Sequence, residues 1–190
     1  MTSLFQRNHR ENGQERDIRR LVRRAQKNPA DFGEIYDLFV DRVYRFLYSQ
    51  GLSRVEADDV AAQTFLDALE ALPRYREQGR FAGWLFSIAR NRTRDYFRVR
   101  SRERTLDQIP EPHERPSMTA RIEQEQMYRA LGSLIDELEP SQRELLNLRY
   151  AADLTFREIA EVVEDNEEAV KKRLYRLLTS LRQRFEVAYV

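Results

Sequence analysis

The sequence predicts an all-α protein: two small helical domains joined by a flexible linker. Three observations carry that expectation. Gly and Pro number only 6 each in 190 residues, so little interrupts a helix. Apolar residues recur at i, i+3 and i+4 through two blocks, 30–103 and 121–190, and no stretch alternates with the period of a strand. Between the blocks, residues 104–120 hold Pro110, Pro112 and Pro116 among polar neighbours, the composition of an extended tether.

Residues 1–29 are polar and basic, with Arg16, Arg19, Arg20, Arg23 and Arg24 close together. They read as an N-terminal extension, a solvated helix that frays, with contact to DNA or polymerase as the competing reading. In the first block, Phe32, Ile35, Tyr36, Phe39, Val40, Val43, Tyr44 and Leu47 share one helical face. Ser53 and Glu56 have capping-box spacing and open the next helix, whose apolar face is Ala61, Thr64, Phe65, Ala68, Leu69 and Leu72. Pro73 ends it. A third stripe, Phe81, Trp84, Leu85, Ile88, Ala89 and Tyr96, completes a bundle whose stability comes from packing the stripes together.

The second block repeats this logic. Leu131, Leu134, Ile135 and Leu138 make one helix. Pro140 suits the first position of the next, which carries Leu145, Leu146, Leu148 and Tyr150. Thr155 and Glu158 form a second capping box before a short helix with Ile159, Ala160 and Val163 inward. After a polar break at Glu164, Asp165 and Asn166, a longer helix carries Val170, Leu174, Leu177, Leu178 and Leu181.

Total charge is nearly balanced, 33 bases against 32 acids, so only its placement is informative. From Asp153 to Glu168 there are seven acids and one base; from Lys171 to Arg184 there are six bases and no acid. A short helix, a tight break and a basic second helix fit a helix-turn-helix that enters a DNA groove. A plain helical hairpin with a solvated basic face is the competing reading. Arg80, Ser87, Asn91, Arg94 and Arg98 fall along one line of the Phe81–Arg102 stretch, opposite the Trp84 stripe, with Arg90, Arg92, Arg100, Arg102 and Arg104 nearby. Arginines beside aromatics suit a nucleic-acid backbone with unstacked bases, although Trp84 itself reads as core. The acids at Glu56, Asp58 and Asp59 are explained on their own by the positive end of a helix.

Other chemistries are poorly supplied. There is no cysteine, which excludes disulfides, thiolate metal sites and cysteine nucleophiles. His9 and His113 have no neighbouring ligand set, and no P-loop or nucleophile motif occurs, so neither catalysis, metal nor cofactor is expected. No apolar run approaches the roughly 18 residues of a membrane span, and the start lacks a signal-peptide core, which points to the cytoplasm.

Taken in order, several stretches resemble the extracytoplasmic-function sigma factors of bacterial RNA polymerase: Ala57-Asp58-Asp59-Val60-Ala61-Ala62-Gln63-Thr64-Phe65, Leu69 through Tyr75, and Phe81 through Asn91 in the first block. In the second they are Arg143 through Tyr150, Leu154 through Glu161, and Val170-Lys171-Lys172-Arg173-Leu174-Tyr175-Arg176. The resemblance implies a sigma region 2 bundle and a sigma region 4 helix-turn-helix. It implies that Asp58, Asp59 and Gln63 dock on core RNA polymerase. It implies that Arg80, Ser87, Asn91, Arg94 and Arg98, with the loop 76–80, hold the melted minus-10 strand of promoter DNA. Glu167, Glu168, Lys171, Lys172, Arg173 and Arg176 would meet the minus-35 duplex. Many members of the family are held by an anti-sigma factor, but nothing in this sequence identifies one. Rival readings are a stand-alone helix-turn-helix regulator and a helical interaction module that never touches DNA.

One departure stands out. Where the family usually has Gly in the turn, then an apolar residue, and Gly or Thr near the recognition helix start, this chain has Glu164, Asp165, Glu168 and Ala169. Asp165 or Asn166 can cap the helix, and Glu167 and Glu168 favour its positive end. The same acids face incoming phosphate, so the minus-35 contact is expected to be weak or unusual, and Glu168→Gly to strengthen promoter binding. Glu can also accept from cytosine N4, which leaves a base-reading role open.

Overall fold

A computed structural model describes residues 2–76, 78–103 and 130–189. The described residues are helical and contain no strand. The first domain holds α1 (Thr2–Lys27), α2 (Phe32–Ser49), α3 (Arg54–Ala71) and α4 (Phe81–Glu103). The second holds α5 (residues 130–136), α6 (Pro140–Leu146), α7 (Phe156–Val162) and α8 (Glu167–Tyr189). The expected tether, 104–120, lies outside the described residues.

The helix starts are set by local chemistry. Both capping boxes form: the Ser53 hydroxyl accepts from the Glu56 N–H while the Glu56 carboxylate accepts from the Ser53 N–H, and Thr155 and Glu158 do the same for α7. Asn28 caps the 3-10 turn Pro29–Asp31 that leads into α2. A second such turn, Leu72–Arg74, carries Pro73 and ends α3. A single π turn, Asn147–Ala151, extends α6.

The first core is aromatic. Phe39 meets Phe81 at 5.6 Å and Phe46 meets Phe86 edge-on at 5.6 Å. Trp84 is half-buried, its ring 4.6 Å from Tyr75 and 5.2 Å from Phe81, in keeping with its reading as core. Two buried hydroxyls are satisfied within their helices, Thr64 donating to the Val60 carbonyl and Thr93 to that of Ala89. Tyr36, expected inside, is exposed at its edge and covers Phe65 at 4.7 Å.

The reading of residues 1–29 as a solvated extension is corrected over its later half. Val22 and Ala25 are buried, with Ile18 and Leu21 packed against the same core. These four follow i, i+3, i+4 and i+7, the spacing of one face, and the arginines occupy the rest of the turn. Gln26 also ties α1 down, donating from Nε2 to the carbonyls of Leu72 (3.0 Å) and Tyr75 (2.7 Å).

In the second domain, Leu145, Leu148, Leu154, Ile159, Val162, Val170, Leu174 and Leu181 form the core. Val162 is buried beside Val163, which packs half-buried against the same core, and Tyr150 faces solvent. The two domains do not stand apart. Their cores join, and α4 packs on α7 as extensively as on its own neighbour α3.

Glu56 links α3 to α4. Besides its cap it accepts from the Tyr96 hydroxyl (2.5 Å) and from Arg100 Nη1 (2.6 Å). Burial pushes this carboxyl up, but the Tyr96 and Ser53 hydrogen bonds and the Arg100 charge outweigh it and hold the group at about 2, below its ordinary 4.5. A depressed carboxyl stabilises the fold above its unfolded value and loses that contribution as pH falls through the folded one. Glu56→Gln is therefore expected to cost about 2 kcal/mol at pH 7, from the cap and the broken ion pair. Urea melts from pH 5 to pH 2 should show an acid-side loss in the parent that is smaller in the variant.

Candidate nucleic-acid and polymerase surfaces

The helix-turn-helix is formed by α7, the turn 163–166 and α8. Asn166, not Asp165, caps α8, its side-chain oxygen accepting from the N–H groups of Glu168 (2.8 Å) and Ala169 (3.3 Å). Glu164 takes the left-handed φ of 56°, the conformation glycine adopts without strain. Asp165 is free to turn toward α8, where it pairs with Arg173. Lys171 lies 3.9 Å from Glu168. Asn166, Glu168, Lys171, Lys172, Tyr175 and Arg176 line one open concave face of α8. Glu167, Glu168, Lys172, Arg173 and Arg176 are exposed and Lys171 is half-buried, so the expected minus-35 set is brought together on open surface.

The expected minus-10 set divides. Asn91, Arg94 and Arg98 lie outward along α4. Arg98 pairs with Asp95 at 2.8 Å. Arg80 and Ser87 are half-buried on the side that α7 covers, and the Ser87 hydroxyl donates to the Gly83 carbonyl (2.9 Å). Gly83 is buried where the helices cross. A Cβ there would lie 2.9 Å from Glu161 Oε2, 3.1 Å from the Glu158 carbonyl oxygen and 3.3 Å from the Glu158 Cα.

Arginines close the interface. Arg90 holds Glu144 with both arms of its fork, Nε to Oε1 at 2.6 Å and Nη2 to Oε2 at 2.9 Å, and donates from Nη1 to the Val162 carbonyl at 2.9 Å. The two side chains are only 12% and 19% exposed. From α2, Arg42 donates to the carbonyls of Ala152 (2.9 Å) and Asp153 (3.0 Å), and Arg45 to that of Ala151 (3.1 Å). These carbonyls end the π turn, the electronegative end of a helical segment, where cations are favoured. Arg42 also lies over the Phe39 ring at 5.0 Å, and burial lowers its pKa. Asn147 completes the contact, donating to the Ser49 carbonyl at 3.0 Å.

This closure is poised. A buried ion pair forfeits hydration on both partners, so its net contribution is small when separation returns both to water. Glu161 adds to the cost: burial raises its pKa, and its Oε2 has no hydrogen-bond partner. Arg80 opposes that shift, while Glu158 adds to it.

The acidic patch sits on α3. Asp58, Asp59 and Gln63 are all exposed. Asp58 accepts from the Tyr44 hydroxyl at 2.8 Å, which raises the phenol to about 12. Gln63 donates to Asp67 at 2.8 Å, and Asp67 in turn pairs with Arg92. Leu66 and Val55 are exposed on the same helix, so acids and apolar residues share an open surface.

Sequence reading grouped Arg90 with general positive charge and passed over Arg42, Arg45 and Asn147. Arg42 carried a signal: a charged residue between Phe39 and Val43 on a helix apolar on that side needs an acceptor from elsewhere.

Two outcomes are expected. Gly83→Ala favours the α4 helix by about 1 kcal/mol yet crowds Glu158, so the first domain should hold its stability while the domains separate. Small-angle scattering should show a larger radius of gyration, and an unchanged radius would contradict the crossing. Glu161→Gln, which removes a charge from the interface, should shift the population toward the closed form. Since Glu161 is raised on closing, the parent should also close further as pH falls, and the variant should lack that component.

Comparison with known proteins agrees with this architecture. Residues 35–103 match Sigma-70 region 2 and residues 128–181 match Sigma-70, region 4. The ECF RNA polymerase sigma factor BldN of Streptomyces coelicolor is 35% identical over 166 residues, covering 85% of this chain and 63% of its own length. The chain thus spans less than two thirds of that relative. The ECF RNA polymerase sigma factor SigM of Bacillus subtilis is 29% identical over 157 residues, covering 82% of this chain and 93% of its own. In fold, the chain is similar to the sigma factor RpoE co-crystallised with the anti-sigma factor NepR from Bartonella quintana, with a TM-score of 0.63, 22% identity, and coverage of 83% and 98%. Among the described residues no helix is long and apolar enough to cross a membrane. With both regions matched in order on one chain, the protein belongs to the extracytoplasmic-function sigma factors of bacterial RNA polymerase.

Proposed function

We propose that this chain directs transcription initiation by joining core RNA polymerase, opening promoter DNA and leaving the nucleotide chemistry to the polymerase. Asp58, Asp59 and Gln63 dock on the polymerase, with the exposed apolar residues of α3 beside them. Arg80, Ser87, Asn91, Arg94 and Arg98 hold the minus-10 strand once melted, the domain 30–103 joined by α1 serving as the scaffold. The domain 121–190 reaches the minus-35 duplex with Glu167, Glu168, Lys171, Lys172, Arg173 and Arg176, and residues 104–120 tether the two.

The observation that best supports this reading is the pair of basic surfaces, one on α4 and one on α8, of which the first is partly covered by α7. A flipped base costs a few kcal/mol, which stacking and phosphate contacts must offset. The closed chain has Ser87 and Arg80 half-buried on the side that α7 covers, so it binds promoter DNA poorly. Docking on polymerase separates the domains and makes these residues available. An anti-sigma partner would act in the opposite sense, by holding the chain in a form that withholds α4. The family relationship agrees with a cytoplasmic site of action.

Run-off transcription with bacterial core polymerase, across a promoter library, tests this. Transcripts should appear on a subset of templates only when the chain is added, and Asp59→Arg should weaken its affinity for core about tenfold or more while leaving its thermal unfolding unchanged. No stimulation on any template would refute the reading. On a responding promoter, Asp165→Asn frees Arg173 for phosphate, and Glu168→Gly removes a like charge. Each should tighten binding at fixed salt, and Asp165→Asn should steepen the slope of log K against log salt by about 1. Unchanged affinity in both would show that the turn acids do not weaken the minus-35 contact.

A further inference from the structure

The basic face of α1 is not used by any step above. Between Gly13 and Lys27 the helix carries six bases and two acids. Arg16, Arg20, Arg23 and Lys27 are exposed and lie opposite the buried Ile18, Val22 and Ala25 side. With Arg19 and Arg24 they line one concave surface. Arg24 faces Glu34 at 2.7 Å and Asp31 at 3.3 Å, and Arg20 approaches Asp17 only at 3.7 Å, both at exposed positions. Exposed pairs of this kind contribute little and yield readily to a stronger anion.

What gives this face a direction is the loop before α4. Gln26 of α1 grips the loop's entry through the Leu72 and Tyr75 carbonyls. Near its exit, Gly79 has a φ of 73° and rests so closely on Glu15 and Arg19, themselves paired at 2.6 Å, that any Cβ would collide with Glu15 Oε1 and Arg19 Nη2. The loop that is to hold the minus-10 strand therefore lies on α1 at both ends. Arg16 and Arg23 are the helical neighbours of Arg19 one turn to either side. Arg74, in the turn before the loop, and Arg76 on the loop itself add exposed positive charge. Through the Gly79 contact with Arg19, bases of α1 lie beside those of the loop.

We propose that the outer face of α1, chiefly Arg16, Arg20 and Arg23, binds the phosphate backbone of the unpaired promoter strand where that strand leaves the 76–80 loop. The inference rests on the sigma-factor reading of that loop and extends its strand path by one helix. Arginine suits the task because its planar fork meets phosphate oxygens in pairs and its charge persists at any working pH. No base is read here, so the contact is independent of sequence and sensitive to salt.

The test uses the full chain assembled with bacterial core polymerase. The probe is the tightest-binding template from a library of pre-melted DNA bubbles with randomised non-template strand. Its affinity is measured from low to high salt for the parent, for the triple variant Arg16→Gln, Arg20→Gln, Arg23→Gln, and for the same three positions changed to Lys. Three lost contacts to single-stranded phosphate should flatten the slope of log K against log salt by roughly 2, while affinity for core without DNA and thermal unfolding stay at parental values. The Lys variant should restore most of the slope, which a merely structural role of these arginines would not produce. An unchanged slope in the Gln variant overturns the proposal. So does a loss that appears already in binding to core, which would assign the face to the polymerase. If the parental holoenzyme binds no bubble, the reading of the loop itself fails, and the proposal falls with it.

Discussion

An arginine withdrawn from water must find an acceptor for its guanidinium, and this requirement organises the molecule. Arg90 finds Glu144 and the Val162 carbonyl, and the half-buried Arg42 finds the carbonyls of Ala152 and Asp153; the exposed Arg45 adds a bond to that of Ala151. The acceptors all belong to the other domain. DNA phosphate offers the same chemistry, an anionic oxygen pair, and in the proposed function the second domain half-covers Arg80 and Ser87 of the minus-10 set. Arg90 can be satisfied in either state. Closed, it has a carboxylate at the cost of hydration; open, it has water or phosphate.

Gly83 sets how closely the domains approach. Without a side chain at the α4–α7 crossing, Glu158 backbone atoms come within van der Waals reach of α4. That approach carries Arg90 to Glu144 and leaves the Glu161 carboxylate buried with one oxygen unpaired. The interface thus contains its own opposing term, a desolvated acid beside a strong ion pair. Such a balance fits the proposed separation of the two domains on polymerase.

The acidic turn before α8 shows how local folding and recognition can pull against each other. Asn166 supplies the cap, so Asp165 is not needed there and neutralises Arg173. Glu164 holds a left-handed backbone that glycine takes without strain. Acids at the positive end of α8 favour the helix, and the same acids dim the positive face it presents.

Much of the chain was legible from residues alone. Both capping boxes, the stripes of α2 and α3, the Trp84 cluster and the helix-turn-helix follow from spacing, because a helix brings i, i+3 and i+4 together whatever lies beyond it. The exposed acids of α3 and the open bases of α8 were legible for the same reason, since charges on a solvated face need no partner to explain them. The core role of α1 was also written in Ile18, Leu21, Val22 and Ala25, but arginines on the remaining positions obscured it. What only tertiary structure decided was which cations are free. Arg90 and Arg94 are four residues apart on one helix and chemically identical, yet Arg90 is clasped by Glu144 at 2.6 Å while Arg94, largely in solvent, reaches the same carboxylate only at 3.9 Å. That difference depends on acceptors fifty or more positions away, across a tether whose path no local pattern records.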